Sequence, residues 1–227
     1  TRDFDTSGGT ISGVTIPGTA GGSQACIIKY DSSDDVVSSV AIATNSGGSR
    51  TILAVDSSDN LYMSGEYTTN TTTADVYSFG ASGNTASSVT LPIASQQLFL
   101  VQYDSSGVAQ RSLLIASATQ SSTAVNSGMV VGSDDLLYLA DTYNPVSALA
   151  INDMDASGGS SSTNSITLPG TGGSFGAFIL RIDSSGIVQN ATTIRPTDAK
   201  VVDVALNSKD EIFHLMGADN NTTVSMY

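Results

Sequence analysis

Leu98-Phe99-Leu100-Val101-Gln102-Tyr103-Asp104-Ser105-Ser106-Gly107 is the stretch on which the fold turns. Its apolar run is too short for a helix and is rich in residues that suit a pleated, half-buried surface. Asp and Ser favour the start of a tight turn, and Gly supplies a positive φ at its end. A second β-prone run follows, so the segment reads as a hairpin. The same pattern stands at Ala25-Cys26-Ile27-Ile28-Lys29-Tyr30-Asp31-Ser32-Ser33-Asp34 and at Ala177-Phe178-Ile179-Leu180-Arg181-Ile182-Asp183-Ser184-Ser185-Gly186. Asp31 and Asp104 are 73 positions apart, and Asp104 and Asp183 are 79 apart.

Other landmarks keep the same period. Thr15-Ile16-Pro17, Thr90-Leu91-Pro92 and Thr167-Leu168-Pro169 recur at 75 and 77 positions. A third landmark runs from Ala54 to Gly65, from Val130 to Ala140 and from Ala205 to Leu215. Agreement between independent landmarks predicts a tandem repeat of about 75 residues. Residues 1–24 read as the end of a preceding unit, 25–97 as the first unit, 98–176 as the second and 177–227 as an incomplete third. Residues 1–24 or another chain would complete that third unit in phase. The opening Asp3-Phe4-Asp5-Thr6-Ser7-Gly8-Gly9 resembles Ser78-Phe79-Gly80-Ala81-Ser82-Gly83, and Tyr227 aligns with Tyr77. Either the two ends meet within one molecule, or the next copy comes from another molecule or from further sequence.

The pattern predicts strands near 25–30, 36–43, 51–56, 60–67, 98–103, 108–117, 128–132, 136–143, 177–182, 187–194, 200–206 and 211–216. A further strand pair is expected near 75–80 and 87–93. Stretches rich in Gly, Ser and Thr near 18–24 and 156–165 read as surface loops, and no amphipathic helix is visible.

Charged residues make up 13 % of the 227, and the formal net charge is −13. So acidic a chain repels phosphate backbones and anionic lipid heads, which argues against a nucleic-acid partner. No apolar run approaches the ~18 residues of a membrane span. Uncharged polar residues fill the place of the missing charges, which suits an extracellular or cell-surface location. One cysteine, Cys26, allows no intrachain disulfide, and its Ala25-Cys26-Ile27-Ile28 setting reads as a buried strand.

These repeats resemble the SBBP-type bacterial β-propeller repeats. Gly172-Gly173-Ser174-Phe175-Gly176 followed by Ala177 to Gly186 is similar to the first half of that family's pattern. Leu53-Ala54-Val55-Asp56-Ser57-Ser58-Asp59-Asn60-Leu61-Tyr62-Met63-Ser64-Gly65-Glu66-Tyr67 is similar to the second half. The resemblance implies an all-β fold of three tandem propeller-like blades, each an antiparallel four-stranded sheet with an extra hairpin. The period is longer than a usual blade, and three blades are too few to close a propeller, which has four to eight. A partial or open array, a closure shared between chains, and a different stacking of β units all stay open.

Candidate chemistry is sparse. His214 is the only histidine, and it aligns with the apolar Met63 and Leu139. One histidine and one cysteine leave little for a triad or a zinc site. Asp34-Asp35, Asp134-Asp135 and Asp210-Glu211 read as hairpin tips, so no catalytic residue and no metal ligand is assigned. No cofactor is expected. Calcium is the one cation the oxygen-rich loops at 30–35 and 56–60 suggest, but their spacing matches neither an EF-hand nor a nonapeptide calcium motif. Sequons place candidate glycosylation sites at Asn70, Asn190, Asn220 and Asn221, with Asn70 and Asn221 at the same point of their units.

The sequence therefore points to a non-enzymatic extracellular structural repeat protein, a glycosylated subunit of a fibre or surface assembly. Self-association into a homopolymer is the expected partnership. The alternative is a propeller-like binding module that recognises a glycan or a cell-surface protein.

Overall fold

The computed structural model describes residues 24–43, 51–69, 74–80, 83, 85–92, 94–115, 128–143, 147–170, 172, 175–195, 199–218 and 225–226. Among them the chain is all-β, with no helix. β1 (Gln24–Tyr30) and β2 (Val36–Ala43) form an antiparallel hairpin. β3 (Thr51–Val55) and β4 (Leu61–Thr69) form the next. Then come the short β5 (Ala74–Asp75) and β6 (Thr90–Leu91), followed by β7 (Ala94–Tyr103) and β8 (Ala109–Ile115). β9 (Gly128–Val131), β10 (Leu137–Tyr143), β11 (Leu149–Asn152), β12 (Ser165–Leu168), β13 (Gly176–Ile182) and β14 (Val188–Arg195) repeat that order. β15 (Ala199–Leu206), β16 (Ile212–Ala218) and β17 (Ser225–Met226) end it.

The strands pair antiparallel in several small sheets. The first large sheet has the order β3-β4-β7-β8. The second runs β9-β10-β13-β14, with β17 added on the outer edge of β14. Each large sheet is thus one hairpin joined edge to edge with the next. The connection between them carries a small hairpin, β5–β6 or β11–β12. β15–β16 and β1–β2 stay as separate two-stranded sheets. No closed ring or barrel is formed among the described residues.

Turn chemistry explains why these hairpins recur. Oδ1 of Asp31, Asp56, Asp104, Asp183 and Asn207 accepts hydrogen bonds from the backbone N–H groups two and four residues on. The side chain thereby stands in for a turn of backbone. The residue three places after the turn start adopts positive φ, as in a hairpin closed by a bulge. It is Gly107 (φ 81) and Gly186 (φ 83), but it is Asp34, Asp59, Asp135 and Asp210 in the other hairpins. Asp tolerates the left-handed region better than most side chains do.

Both faces of the large sheets carry buried apolar residues. Along β7, Leu98 and Leu100 join the core against the second sheet, with Leu113, Leu137, Leu139, Phe178, Leu180 and Ile182. The alternate residues Phe99, Val101 and Tyr103 face the other way, into a core with Val76, Val89 and Leu91 from the first small-hairpin segment. Burying each large apolar side chain contributes about 1.5–3 kcal/mol. The strand period of two therefore sends one set of residues back toward the preceding sheet and the other forward.

Two expectations need correction. Cys26 is exposed, although its surroundings in sequence read as a buried strand. Its counterparts Phe99 and Phe178 are buried, so the position is a core position that lacks cover here. The stretch near 156–165 does contain a run of turns, but the strands β11 and β12 that carry it were not foreseen. The predicted loop at 18–24 lies outside the described residues apart from Gln24, which opens β1.

Candidate assembly site: turn ladders and open half-sheets

Successive units grip each other through their turns. Ser57, at the tip of β3–β4, donates from its backbone N–H (2.9 Å) and its hydroxyl (2.6 Å) to the two carboxylate oxygens of Asp135, at the tip of β9–β10. Ser133 of that same tip repeats the pair of bonds onto Asp210 at the tip of β15–β16. These bonds hold the carboxyls of Asp135 and Asp210 below the usual aspartate range. The receiving residue is the one with positive φ, so the bulge that closes each hairpin also aims a carboxylate at its neighbour.

The other hairpins form a second ladder. Lys29 Nζ donates to the carbonyl of Ser105 at 3.1 Å, and Gln102 Nε2 donates to the carbonyl of Ser184 at 3.0 Å. Lys29 and Gln102 occupy one repeat position, and Arg181 occupies it in the third hairpin. Arg181 lies against its own sheet, 3.4 Å from Asp134 and with its guanidinium carbon 5.9 Å from the centre of the Tyr138 ring.

Small-hairpin segments seal the gaps. Phe79 N donates to the Gly107 carbonyl, and Met154 N to the Gly186 carbonyl. On their other side, Gly80 bridges Ser39 of β2, and Asp155 bridges Ser112 of β8. Each insertion therefore ties its own sheet to the edge strand of the sheet before it. Burial opposes ionisation of Asp155, but bonds from Gly159, Ser157 and Ser161 outweigh it and lower its titration.

Both ladders stop at the ends of the stack, and so does the packing. Asp59 and Ser208, which match the acceptor Asp135 and the donor Ser133, are both exposed and make no such bond among the described residues. Leu53 and Val55 face backward from the first large sheet and are 49 % and 55 % exposed. Val204, the counterpart of Leu53, packs onto the second sheet and is 6 % exposed. Phe213 at the far end is 58 % exposed, whereas its counterparts Tyr62 and Tyr138 are 0 % and 4 %. These are core positions left without a neighbour among the described residues.

The open elements are complementary. β15–β16 corresponds to the hairpins β3–β4 and β9–β10 that begin a large sheet. β1–β2 corresponds to β7–β8 and β13–β14 that finish one. Neither β16 nor β1 has a second strand neighbour among the described residues.

Of the sites expected from sequence, Asn190 is exposed on β14, opposite Arg181 in the register. Asn70, Asn220 and Asn221 lie outside the described residues. His214 falls on β16, opposite Val204. Asp34, Asp35, Asp134, Asp135, Asp210 and Glu211 do sit in turns, where backbone and serine donors engage several of them. Among the described residues no group of three or more His, Cys, Asp or Glu is placed to hold a metal ion. No described helix is long and apolar enough to cross a membrane. Compared with known families, curated proteins and solved structures, the chain matches none.

Proposed function

We propose that this chain is a non-enzymatic structural repeat protein, a subunit of an extracellular fibre or surface assembly. Each four-stranded sheet serves as one propeller-like blade, in keeping with the sequence resemblance, and the blades stack as an open array. The observation that carries this reading is the repeated interface. The Ser-to-Asp clasp and the turn-carbonyl bond each occur twice, and Asp59 and Ser208, the acceptor and donor for a third clasp, stand exposed at opposite ends. Repeat arrays gain their stability from such nearest-neighbour interfaces, and the same chemistry extends an array by one more unit.

Glycans on Asn190 and on the sequons at Asn70, Asn220 and Asn221 would supply the hydration that sparse surface charge does not. They would also shield sheet edges from wrong pairing. The test is electron microscopy and sedimentation of the purified protein over rising concentration. Filaments or long oligomers are expected. Dispersed monomers at every concentration would overturn the reading.

A further inference from the structure

The open contacts of the stack define one partner and one strand register. β16 is the second strand of its hairpin, as β4 and β10 are of theirs. β4 pairs with β7, and β10 pairs with β13, in equivalent registers: Met63 lies opposite Val101, and Leu139 opposite Leu180. Gly65 lies opposite Phe99, and Asp141 opposite Phe178. Carried to the third hairpin, that register sets Phe213 opposite Lys29, Leu215 opposite Ile27 and Met216 opposite Cys26. The strand holding Lys29, Ile27 and Cys26 is β1, whose outer edge has no strand neighbour among the described residues, at the other end of the stack.

We infer that the chain assembles head to tail, with β16 of one copy pairing with β1 of the next to complete a four-stranded sheet across the junction. This deepens the fibre reading and rests on it. Three independent features of the structure call for the same occupant. The edge of β16 needs a hairpin of the β7–β8 kind, and β1–β2 is such a hairpin. Ser208 needs a carboxylate on a left-handed turn residue, and Asp59 of the next copy is one (φ 62). Arg181, in the place of Lys29 and Gln102, would turn from Asp134 to the carbonyl of the first Ser in the following turn, which is Ser32. All three belong to the leading end of the same chain. Each contact has two precedents inside the molecule, so one placement of a second copy satisfies them together.

The junction also covers the exposed core positions. Phe213 and Leu53 face each other across it, as Tyr138 and Val204 belong to facing sheets within the chain. Cys26 becomes enclosed as Phe99 and Phe178 are. Strand addition to an open edge supplies main-chain hydrogen bonds, and alternate side chains supply specificity. The interface is heterologous, with different surfaces on its two sides, so it grows an open filament unless the rotation happens to close a ring.

Cys26 makes the register directly testable. Residues opposite each other in an antiparallel pair have Cα atoms about 4.5–5.5 Å apart, within the range of a disulfide. Met216→Cys, oxidised in the full chain, should give a ladder of covalent dimers, trimers and longer species on a non-reducing gel. Each should contain a peptide linking Cys26 to position 216. Leu215→Cys, one residue along, takes the alternate position in the strand's period of two and should cross-link at least about tenfold less. Ser208→Ala should weaken assembly of the unmodified chain without shifting the unfolding midpoint of the dilute monomer.

A disulfide formed within one molecule would overturn the inference in favour of ring closure. Equal cross-linking of both cysteine variants would overturn the register. Fibres that form with no linkage between Cys26 and position 216 would overturn this junction and leave the fibre reading standing. Failure of the wild-type chain to associate at all would overturn both.

Discussion

Ser57 and Asp135 stand 78 residues apart in the chain and meet at the tips of neighbouring hairpins, with two hydrogen bonds onto one carboxylate. The bonds favour the ionised, folded form, so Asp135 titrates lower when folded than its ordinary value of 3.8. Stability from such a group is complete above the unfolded pKa and is lost as pH falls through the lower folded one. Asp210 behaves alike with Ser133. Asp135→Gly keeps the turn conformation and removes the bonds. It should lower the melting temperature at pH 7 and flatten the loss of stability below pH 3.8. Asp59→Gly, in the matching turn that no serine among the described residues engages, should leave the melting temperature nearly unchanged. Thermal scans over a pH series check both.

Gly107 and Gly186 carry a heavier constraint than the aspartates at their position. Both have positive φ, and a Cβ on Gly107 would come within 2.8 Å of the Phe79 Cβ. On Gly186 it would meet Arg111 Cδ at 2.6 Å and Met154 Cβ at 2.9 Å. Strain and overpacking together should cost roughly 2–4 kcal/mol in Gly107→Ala or Gly186→Ala. Asp34→Gly at the corresponding turn should be neutral or slightly stabilising. Denaturant midpoints with unchanged slope would confirm the contrast.

The large strands were legible because their chemistry is local. Alternation, β-branched runs and the Asp-Ser-Ser turns placed β1–β4, β7–β10 and β13–β16 within a few residues. What stayed hidden depends on neighbours far along the chain. Asp135 looks like any polar turn residue until the facing Ser57 is known. Cys26 reads as core because it is core in kind, and only the missing facing surface exposes it. β11 and β12 pair across a Ser/Gly-rich stretch whose composition signals loop, and Asp155, collecting donors from Ser157, Gly159 and Ser161, organises that loop. The sequence did carry one usable signal for the ladders: a Ser follows the first residue of every main turn, donating at Ser57 and Ser133 and accepting through its carbonyl at Ser105 and Ser184.

Equivalent positions should differ sharply in energetic weight. Tyr62 is fully buried, donates its hydroxyl to Asp56 at 3.2 Å and accepts from Gln102 at 3.0 Å. Tyr62→Ala should cost about 3–5 kcal/mol, as removal of a buried aromatic does. Phe213→Ser, at the same repeat position but 58 % exposed, should cost under about 1 kcal/mol in dilute protein. At concentrations where copies associate the gap should narrow, because binding stabilises the folded form. Urea titrations at two protein concentrations measure this.

Tyr103 presents the opposite case, a buried polar group that the fold does not satisfy. Its ring is fully enclosed, edge-on to Phe79 with centroids 5.3 Å apart, and its hydroxyl has no hydrogen-bond partner among the described residues. An unpaired buried hydroxyl costs about 1–3 kcal/mol, so removing it relieves the fold. Tyr103→Phe should therefore raise stability by roughly 1 kcal/mol at neutral pH. The same burial pushes the phenol's titration well above its ordinary value of 10.0. A group raised in the folded state lends stability that is full below its unfolded pKa and lost as pH climbs toward the folded one. Wild-type protein should thus lose stability above pH 10, and the phenylalanine variant should lose less. Tyr62, raised by burial and by Asp56, accounts for part of what remains. A variant less stable than wild type at neutral pH would mean that the hydroxyl is paired in solution.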